Sequence, residues 1–577
     1  MSVSNINEHF KLPIFYNEKK IALKDEISKD LELVEPIDPS ANPIYHHVFE
    51  PKNVLAECVI KQMKTYYTDD IDFLNDSQTI LKTYKAASES VCRDYADMLD
   101  VWSEVKNDNG FKQKYYYLEW SFCEFLNKSE QFLQFTSLYS LAAPVLSFLV
   151  PIFILIIPFF IVKMKGLNVT LAEYLEVLKV LASSHAIGRI FTHFNSVPLD
   201  QKIYITLSAV FYMISIYQNF VICYKFNQNM INIHKYLKHV KDYTGATIDS
   251  MNNYLQFSLP LKTYETFNES VKYNRDILSE YRNKIEKITA YKFTTKKISE
   301  IGYILKCFYE LYSDKTYNDA FLFSFGFNGY IDNIESLIQK IEAKKVNFAT
   351  FGKCSSKNKS KSKKCVLNNS YYAALINAKP VKNNVKLDKN IIITGPNASG
   401  KTTTLKSTLI NVIFSQQFGC GFYESAKLSP YKHIHSYLNI PDTSGRDSLF
   451  QAEARRCKEI IDIIQKHPDE THLCTFDELY SGTNPDEAVI SSLAFMEYLV
   501  KFKNVKCILT THFIQVCKKL QRNKNILNHR METIKEGQDF KYTYLMKPGI
   551  SEVRGGIKVL TDMNYPKEIL DNTKRNG

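Results

Sequence analysis

At 577 residues the chain is too long for one ordinary hydrophobic core, so two or three domains are expected. An apolar content of 45% with 23% charged residues excludes a disordered chain, and only 19 glycines and 18 prolines argue against a turn-rich all-β fold. The formal charge of +12 permits contact with nucleic acid or anionic lipid and establishes neither; the twelve scattered cysteines include no CxxC pair and no zinc spacing, which reads as free thiols in a reducing compartment.

Residues 1–130 read as a mostly helical N-terminal region. Asp70–Leu81 and Ala86–Val105 place apolar residues at three- and four-residue intervals, and Pro36, Pro39 and Pro43 mark turns. The opening MSVSNINEHFKL lacks the charged-then-apolar pattern of a secretory signal, so the catalytic part is expected to face the cytosol. Residues 131–224 differ in character. From Gln131 to Val162 no residue is charged, and residues 138–162 exceed the roughly 20 needed to cross a bilayer. Pro144, Pro151 and Pro158 recur at seven-residue intervals, near one helix face. Residues 203–224 form a second uncharged stretch, rich in tyrosine and containing Gln218 and Asn219. The expectation is a two-span membrane hairpin, hence a multi-pass membrane protein with both termini, and the catalytic domain, on the cytosolic or nucleoplasmic side. A pair of buried core helices is the alternative. Lys163, Lys165, Lys179, Arg189 and Lys202 lie between the spans, so the positive-inside rule sets no orientation.

Residues 225–347 return to charged amphipathic helices, clearest over Asp276–Ile288 and Asn333–Lys345. Residues 348–369 read as a Lys/Ser-rich linker around KCSSKNKSKSKKC, a tract that is solvated or touches phosphates or lipid headgroups.

Residues 370–577 carry the chemistry, in an α/β pattern. The β-branched run Lys389–Thr394 suits a buried parallel strand and leads directly into Gly395, Pro396, Asn397, Ala398, Ser399, Gly400, Lys401 and Thr402, with Thr403–Phe414 reading as the helix that follows. Strand, G-x-x-x-x-G-K-[ST] and helix together make a P-loop: backbone amides, Thr403 included, face the phosphates of ATP or GTP, Lys401 neutralises them, and the Thr402 hydroxyl ligates Mg²⁺. A second apolar strand, Thr471–Phe476, ends in Asp477 and Glu478, suited to the magnesium shell and to orienting or deprotonating the attacking water. A third, Cys507–Thr511, ends in His512, placed to sense the γ-phosphate.

These residues, taken in order, resemble the MutS mismatch-repair family. ITGPNASGKTTTLKS (393–407) is similar to the family's loop, with Asn397 the telling residue; Gly419–Ala426 resembles the segment after the first helix. Ser448-Leu-Phe-Gln-Ala-Glu453 resembles Ser-Thr-Phe-x-x-Glu, with Leu449 replacing Thr, and Asp477–Thr483 and Thr511-His512 resemble the Asp-Glu-x-x-x-Gly-Thr and Thr-His elements. Pro548–Ser551 and Gly555–Leu560 are similar to the closing segments. The resemblance implies an ABC-type ATPase fold working as a homodimer or MutS-like heterodimer, in which Ser448 reaches the γ-phosphate held by the other subunit. It also implies a DNA partner, and a lever role for residues 225–347. The chain departs from the mismatch-recognising members. Phe122-Cys-Glu124 stands just before the apolar stretch, residues 1–130 are too few for mismatch and connector domains together, and membrane spans are foreign to the standard repair enzyme. The expectation is a DNA-binding, dimeric clamp ATPase; the alternative is a membrane-tethered ATPase switch without mismatch recognition. A transport ATPase is disfavoured by the absence of an LSGGQ-type signature.

Overall fold

The computed structural model describes residues 5–86, 95–107, 110–166, 170–183, 188–190, 194, 197–290, 294–352, 365–438, 448–536, 539–553, 560, 561 and 563–576. The lysine tract 353–364, part of the expected 86–105 helix and most of the 555–560 element lie outside them. Before residue 345 the main helices are α1 (Ile71–Thr83), α2 (Glu130–Met164), α3 (Leu171–Ala182), α4 (Leu199–Ser258), α5 (Glu265–Glu286), α6 (Ile301–Ser313) and α7 (Lys315–Glu342). The chain divides into two units, each discontinuous in sequence.

One unit is formed chiefly by Val91–Ile248 and Arg275–Phe321 and is helical. At 35 residues, α2 is roughly 52 Å long, well beyond a bilayer core of about 30 Å. Its apolar run packs on the first part of α4 in antiparallel sense. The Tyr212 hydroxyl donates to the Ser147 carbonyl (2.9 Å), Asn219 Nδ2 donates to Ser147 Oγ (2.6 Å), and Phe148 meets Phe220 edge-on at 5.8 Å. The opposite faces point outward: Phe153, Ile157 and Phe160 on α2, with Leu207, Phe211 and Tyr217 on α4, are all exposed. The foot of α2 is fixed differently. Gly302 on α6 lies so close that a Cβ there would sit 2.3 Å from the Glu130 carbonyl oxygen, and Gln134 bonds both Ile298 O (2.7 Å) and Gly302 N (2.8 Å). Glu124 accepts hydrogen bonds from Lys112 and Tyr309, so in the Phe122-Cys-Glu124 element the acid is a structural acceptor.

The other unit comprises Ser4–Ser90, Asp249–Asn274 and Leu322–Gly577. Its strands are β1 (Lys20–Ala22), β2 (Tyr66–Thr68), β3 (Asn347–Phe351), β4 (Val366–Ser370), β5 (Asn383–Lys386), β6 (Asn390–Thr394), β7 (Cys420–Gly421), β8 (Ser425–Leu428), β9 (His433–Tyr437), β10 (His472–Asp477), β11 (Val505–Thr511), β12 (Ile526–Glu536) and β13 (Asp539–Pro548). Six form a sheet in the order β13-β12-β6-β11-β10-β9, parallel except for the β12–β13 hairpin. Five form a second sheet, β5-β4-β8-β3-β7, and β1 pairs with β2. The helices after β6 are α8 (Lys401–Phe418), α9 (Leu449–Lys466), α10 (Pro485–Leu499) and α11 (Ile514–Leu520). All five residues of β6 are buried, as its unbroken apolar run requires for a central parallel strand. Ile460, Ile464, Phe476, Phe495, Met496 and Leu509 belong to one core cluster that joins β10 and β11 to α9 and α10.

This organisation cuts across the linear segments expected from sequence. Residues 5–86 are part of the sheet-bearing unit. Tyr45 donates to Gln417 Oε1 (2.6 Å), Gln417 Nε2 to Tyr66 O (2.9 Å), Gln416 Nε2 to Thr68 O (3.0 Å), and Gln78 Nε2 to Gly419 O (2.7 Å). The 348–369 segment is not linker throughout, because β3 and β4 flank the tract and both join the five-stranded sheet. The span 225–347 is divided between the two units.

Candidate functional site

The site follows from strand register. Because β11 lies between β6 and β10, its pairings align three carboxyl ends: Thr511 faces Thr394, and Thr510 faces Asp477. The next residues along, Gly395, Glu478 and His512, therefore emerge side by side. This is where an open parallel sheet presents a crevice for ligands.

The glycine-rich loop is shaped by backbone demands. Gly400 has φ +95°, a left-handed conformation that glycine adopts without penalty, and Ala398 also has positive φ at +60°. A Cβ on Gly395 would lie 2.8 Å from Ser399 Oγ, so the turn closes only around glycine. Lys401 opens α8 and is buried. Its ammonium lies 3.1 Å from His512 Nε2, 3.3 Å from the Pro396 carbonyl and 3.9 Å from Glu478 Oε1. Burial pulls the amine below its ordinary pKa, opposed by the charges of Glu478 and Asp477. Glu478 Oε1 lies 2.8 Å from His512 Nε2, and that hydrogen bond, ahead of the charges of His512 and Lys401, holds the carboxyl below the usual range. Glu478 itself has φ +53°, uncommon for a non-glycine residue and characteristic of strained functional positions. The Thr402 hydroxyl donates to Asp477 Oδ2 (2.8 Å), and the Thr510 hydroxyl to Oδ1.

Thus Lys401, Thr402, Asp477, Glu478 and His512, expected from three separate segments, are brought together. Beside them a cleft of about 590 Å³ runs along Asn397–Thr404. The donor set suits a triphosphate with a divalent cation. Ser399 Oγ is fully buried without a hydrogen-bond partner, Lys401 is a buried cation at the loop, and Thr402 and Asp477 offer two oxygens side by side. Thr403 also lines the cleft.

Ser448 is not at this cleft. It is the exposed N-cap of α9, in a capping box with Gln451: its side chain accepts from Gln451 N (3.3 Å) and its amide donates to Gln451 Oε1 (2.9 Å). Two residues quoted only as motif matches have structural work here. Buried Glu453 accepts from Ser481 Oγ (3.0 Å) and Gly482 N (3.2 Å), and a Cβ on Gly482 would strike Leu449 at 2.7 Å. The signature helix and the loop after Glu478 are therefore tied directly together. The far wall of the cleft falls outside the sequence motifs: Tyr372, Lys379, Pro380 and Val381 from the β4–β5 connection, with Tyr544 from β13. Tyr544 packs on the glycine-rich loop, 3.3 Å from where a Gly400 Cβ would be, and Asn383 holds its carbonyl (3.0 Å). The one readable signal was the tyrosine pair Tyr371-Tyr372 close before the loop in sequence; Tyr544 had none.

Comparison with known proteins agrees with this geometry. The family model for MutS domain V matches residues 391–576. The chain is similar to an endonuclease MutS2 of Clostridium botulinum (27% identity over 188 residues, 32% of this chain and 23% of the relative). It is also similar to a DNA mismatch repair protein MutS of Pseudothermotoga lettingae (27% over 199 residues, 34% and 24%). A third relative is the human MutS protein homolog 4 (30% over 210 residues, 34% and 22%). The matches cover under a quarter of each of these relatives. Over residues 391–576, then, the chain carries a domain that matches MutS domain V and is similar in sequence to MutS-family proteins.

Proposed function

We propose that this chain binds and hydrolyses ATP at the Gly395–Thr402 loop, and that nucleotide turnover opens and closes a dimer on DNA. The observation that carries the ATPase reading is the contact of Lys401, Glu478 and His512 at aligned strand ends, beside a cleft large enough for a nucleotide. Lys401 and the loop amides hold the phosphates. Thr402 and Asp477 would hold magnesium, which supplies neutralisation of phosphate charge. Glu478, kept ionised by His512, orients the attacking water and accepts its proton. His512, within reach of both Lys401 and Glu478, reports the γ-phosphate to the acid. Adenine would rest between the Tyr372–Val381 wall and Tyr544. Ser448, exposed at the start of α9, is available to a second subunit's nucleotide, and the Glu453–Gly482 tie couples that contact to the catalytic loop. DNA as the partner rests on the family and on the names of the relatives.

Turnover measurement tests this: Glu478→Gln retains ATP binding and loses about 10²–10⁴-fold in rate, while Lys401→Ala loses binding. Unchanged turnover in Glu478→Gln removes the proposed base. ATP-dependent affinity for homoduplex or branched DNA across a salt series tests the clamp, since binding that ignores nucleotide and vanishes with salt reflects charge alone.

A second reading, that a membrane hairpin tethers this ATPase through residues 138–162 and 203–224, is favoured by the outward apolar faces of α2 and α4. Trp120, Phe122 and Phe125, all exposed just before α2, suit the aromatic belt at a bilayer surface, and Trp120 stacks on Phe122 at 5.8 Å. The catalytic domain would then face cytosol or nucleoplasm. Carbonate extraction decides: release into the supernatant removes the hairpin.

A further inference from the structure

At the opposite end of the parallel sheet from the nucleotide cleft, four of the chain's thirteen histidines gather. β9 begins with His433 and β10 with His472, directly paired in register, and their rings stack at 4.6 Å. His467 is the C-cap of α9, and Glu470 follows in the turn into β10. We propose that His433, His467 and Glu470 form a binding site for one zinc-class divalent cation, with solvent completing the coordination.

The donors already converge: one ligand atom from each of the three lies within 4.8 Å of the others. His467 Nδ1 is 3.3 Å and His433 Nε2 2.5 Å from the same carboxylate oxygen, Glu470 Oε2. Tetrahedral zinc with bonds of about 2.0–2.1 Å separates its ligands by roughly 3.4 Å. One of these spacings is therefore already met, and the other needs an opening of less than about 1 Å. Two imidazoles and one carboxylate favour zinc and its transition-metal neighbours over calcium or magnesium, which take oxygen ligands, and over copper(I), which takes sulfur. Lys432 occupies the other carboxylate oxygen, Oε1, at 2.8 Å, so Oε2 is turned toward the histidines. His472 lies within hydrogen-bond distance of the His467 carbonyl (2.9 Å) and stacks on His433, holding both ligand residues in place as outer-shell partners of metal sites do. The carboxyl end of α9, where His467 sits, carries negative partial charge that favours a cation. An ion here would staple the end of α9 to the first residue of β9.

The test uses the full chain, purified in detergent and stripped by chelator. Titration with Co²⁺ should give d–d absorption without thiolate charge transfer, and one equivalent of Zn²⁺ should displace it. Glu470→Gln and His467→Gln should bind Zn²⁺ at least tenfold more weakly and lose the Zn²⁺-induced rise in Tm, each measured against its own metal-free form. If His467→Gln does not fold, Glu470→Gln, which alters a half-buried side chain, decides alone. Parent-like affinity in Glu470→Gln would overturn the site. So would a thiolate spectrum, or loss of Zn²⁺ binding in Asp477→Asn instead, because each places the ion elsewhere.

Discussion

Two helices of this molecule invert the usual rule in opposite directions. α2 turns Phe153, Ile157 and Phe160 outward, while the last turns of α8 bury Asn411, Ser415, Gln416 and Gln417 completely or nearly so. The second inversion is stable in water because every amide is met. Gln416 donates to Thr68 O and Tyr431 O and accepts from Tyr431 N, and Gln417 donates to Met63 O and Tyr66 O and accepts from Tyr45. The first has no such internal remedy, since nothing polar can compensate an exposed phenylalanine; only an apolar surrounding can. Buried polarity is thus solved by geometry; an exposed apolar face would need a lipid or a partner surface to be solved at all.

The sharpest way to break this comparison is Gln416→Leu. It leaves two carbonyls and one amide unmet in the interior, and about 3–5 kcal/mol should be lost in urea unfolding of the sheet-bearing unit. A loss below 1 kcal/mol would mean that water reaches the site. Next is Phe153→Arg on the outward face of α2. In a bilayer the arginine costs about 2.5–3.5 kcal/mol and should move the protein toward the carbonate-extractable fraction, whereas in water it is neutral or improves solubility. A smaller effect comes from Asp30, a half-buried carboxylate in the sheet-bearing unit. Burial raises its pKa to about 6, against a hydrogen bond from Ser436 and the charges of Arg456 and Lys406. The folded state binds this proton more tightly than the unfolded state does. Stability from this group is therefore full below about pH 4, declines as pH rises through 6, and is flat above. Asp30→Asn should remove that slope, of about 1 kcal/mol after allowance for solvent, in melts run from pH 4 to 7. The smallest is Ser147→Ala, which removes the partner of Asn219 between α2 and α4. A loss of about 0.6 kcal/mol is expected if the pair lies in lipid.

What could be read beforehand divides along a physical line. The loop Gly395–Thr402, the acid pair and His512 were legible because each is a short run whose neighbours in sequence are its neighbours in space. That Thr511 pairs with Thr394 also follows once three apolar strands are placed in one parallel sheet. Tyr544 was not legible, since the turn that brings it over Gly400 comes from an antiparallel hairpin roughly 150 residues away. Nor was the placement of residues 5–86, which hangs on glutamine side chains bonding carbonyls some 350 positions earlier, and a glutamine in a helix ordinarily signals a wet surface. The linker is shorter than its composition suggests for a similar reason: β3 and β4 are five-residue strands whose partners lie beyond the lysine tract.

The bolted end of α8 has a mechanical corollary. This rod is about 27 Å long, with the glycine-rich loop at one tip and the first eighty residues pinned at the other. A tilt of a few degrees about the loop swings the far tip of such a rod, to which β2 is hydrogen-bonded, by about an ångström or more. The amino-terminal segment is in that sense a pointer on a dial, and a spectroscopic label placed there would register events at the far tip without touching them.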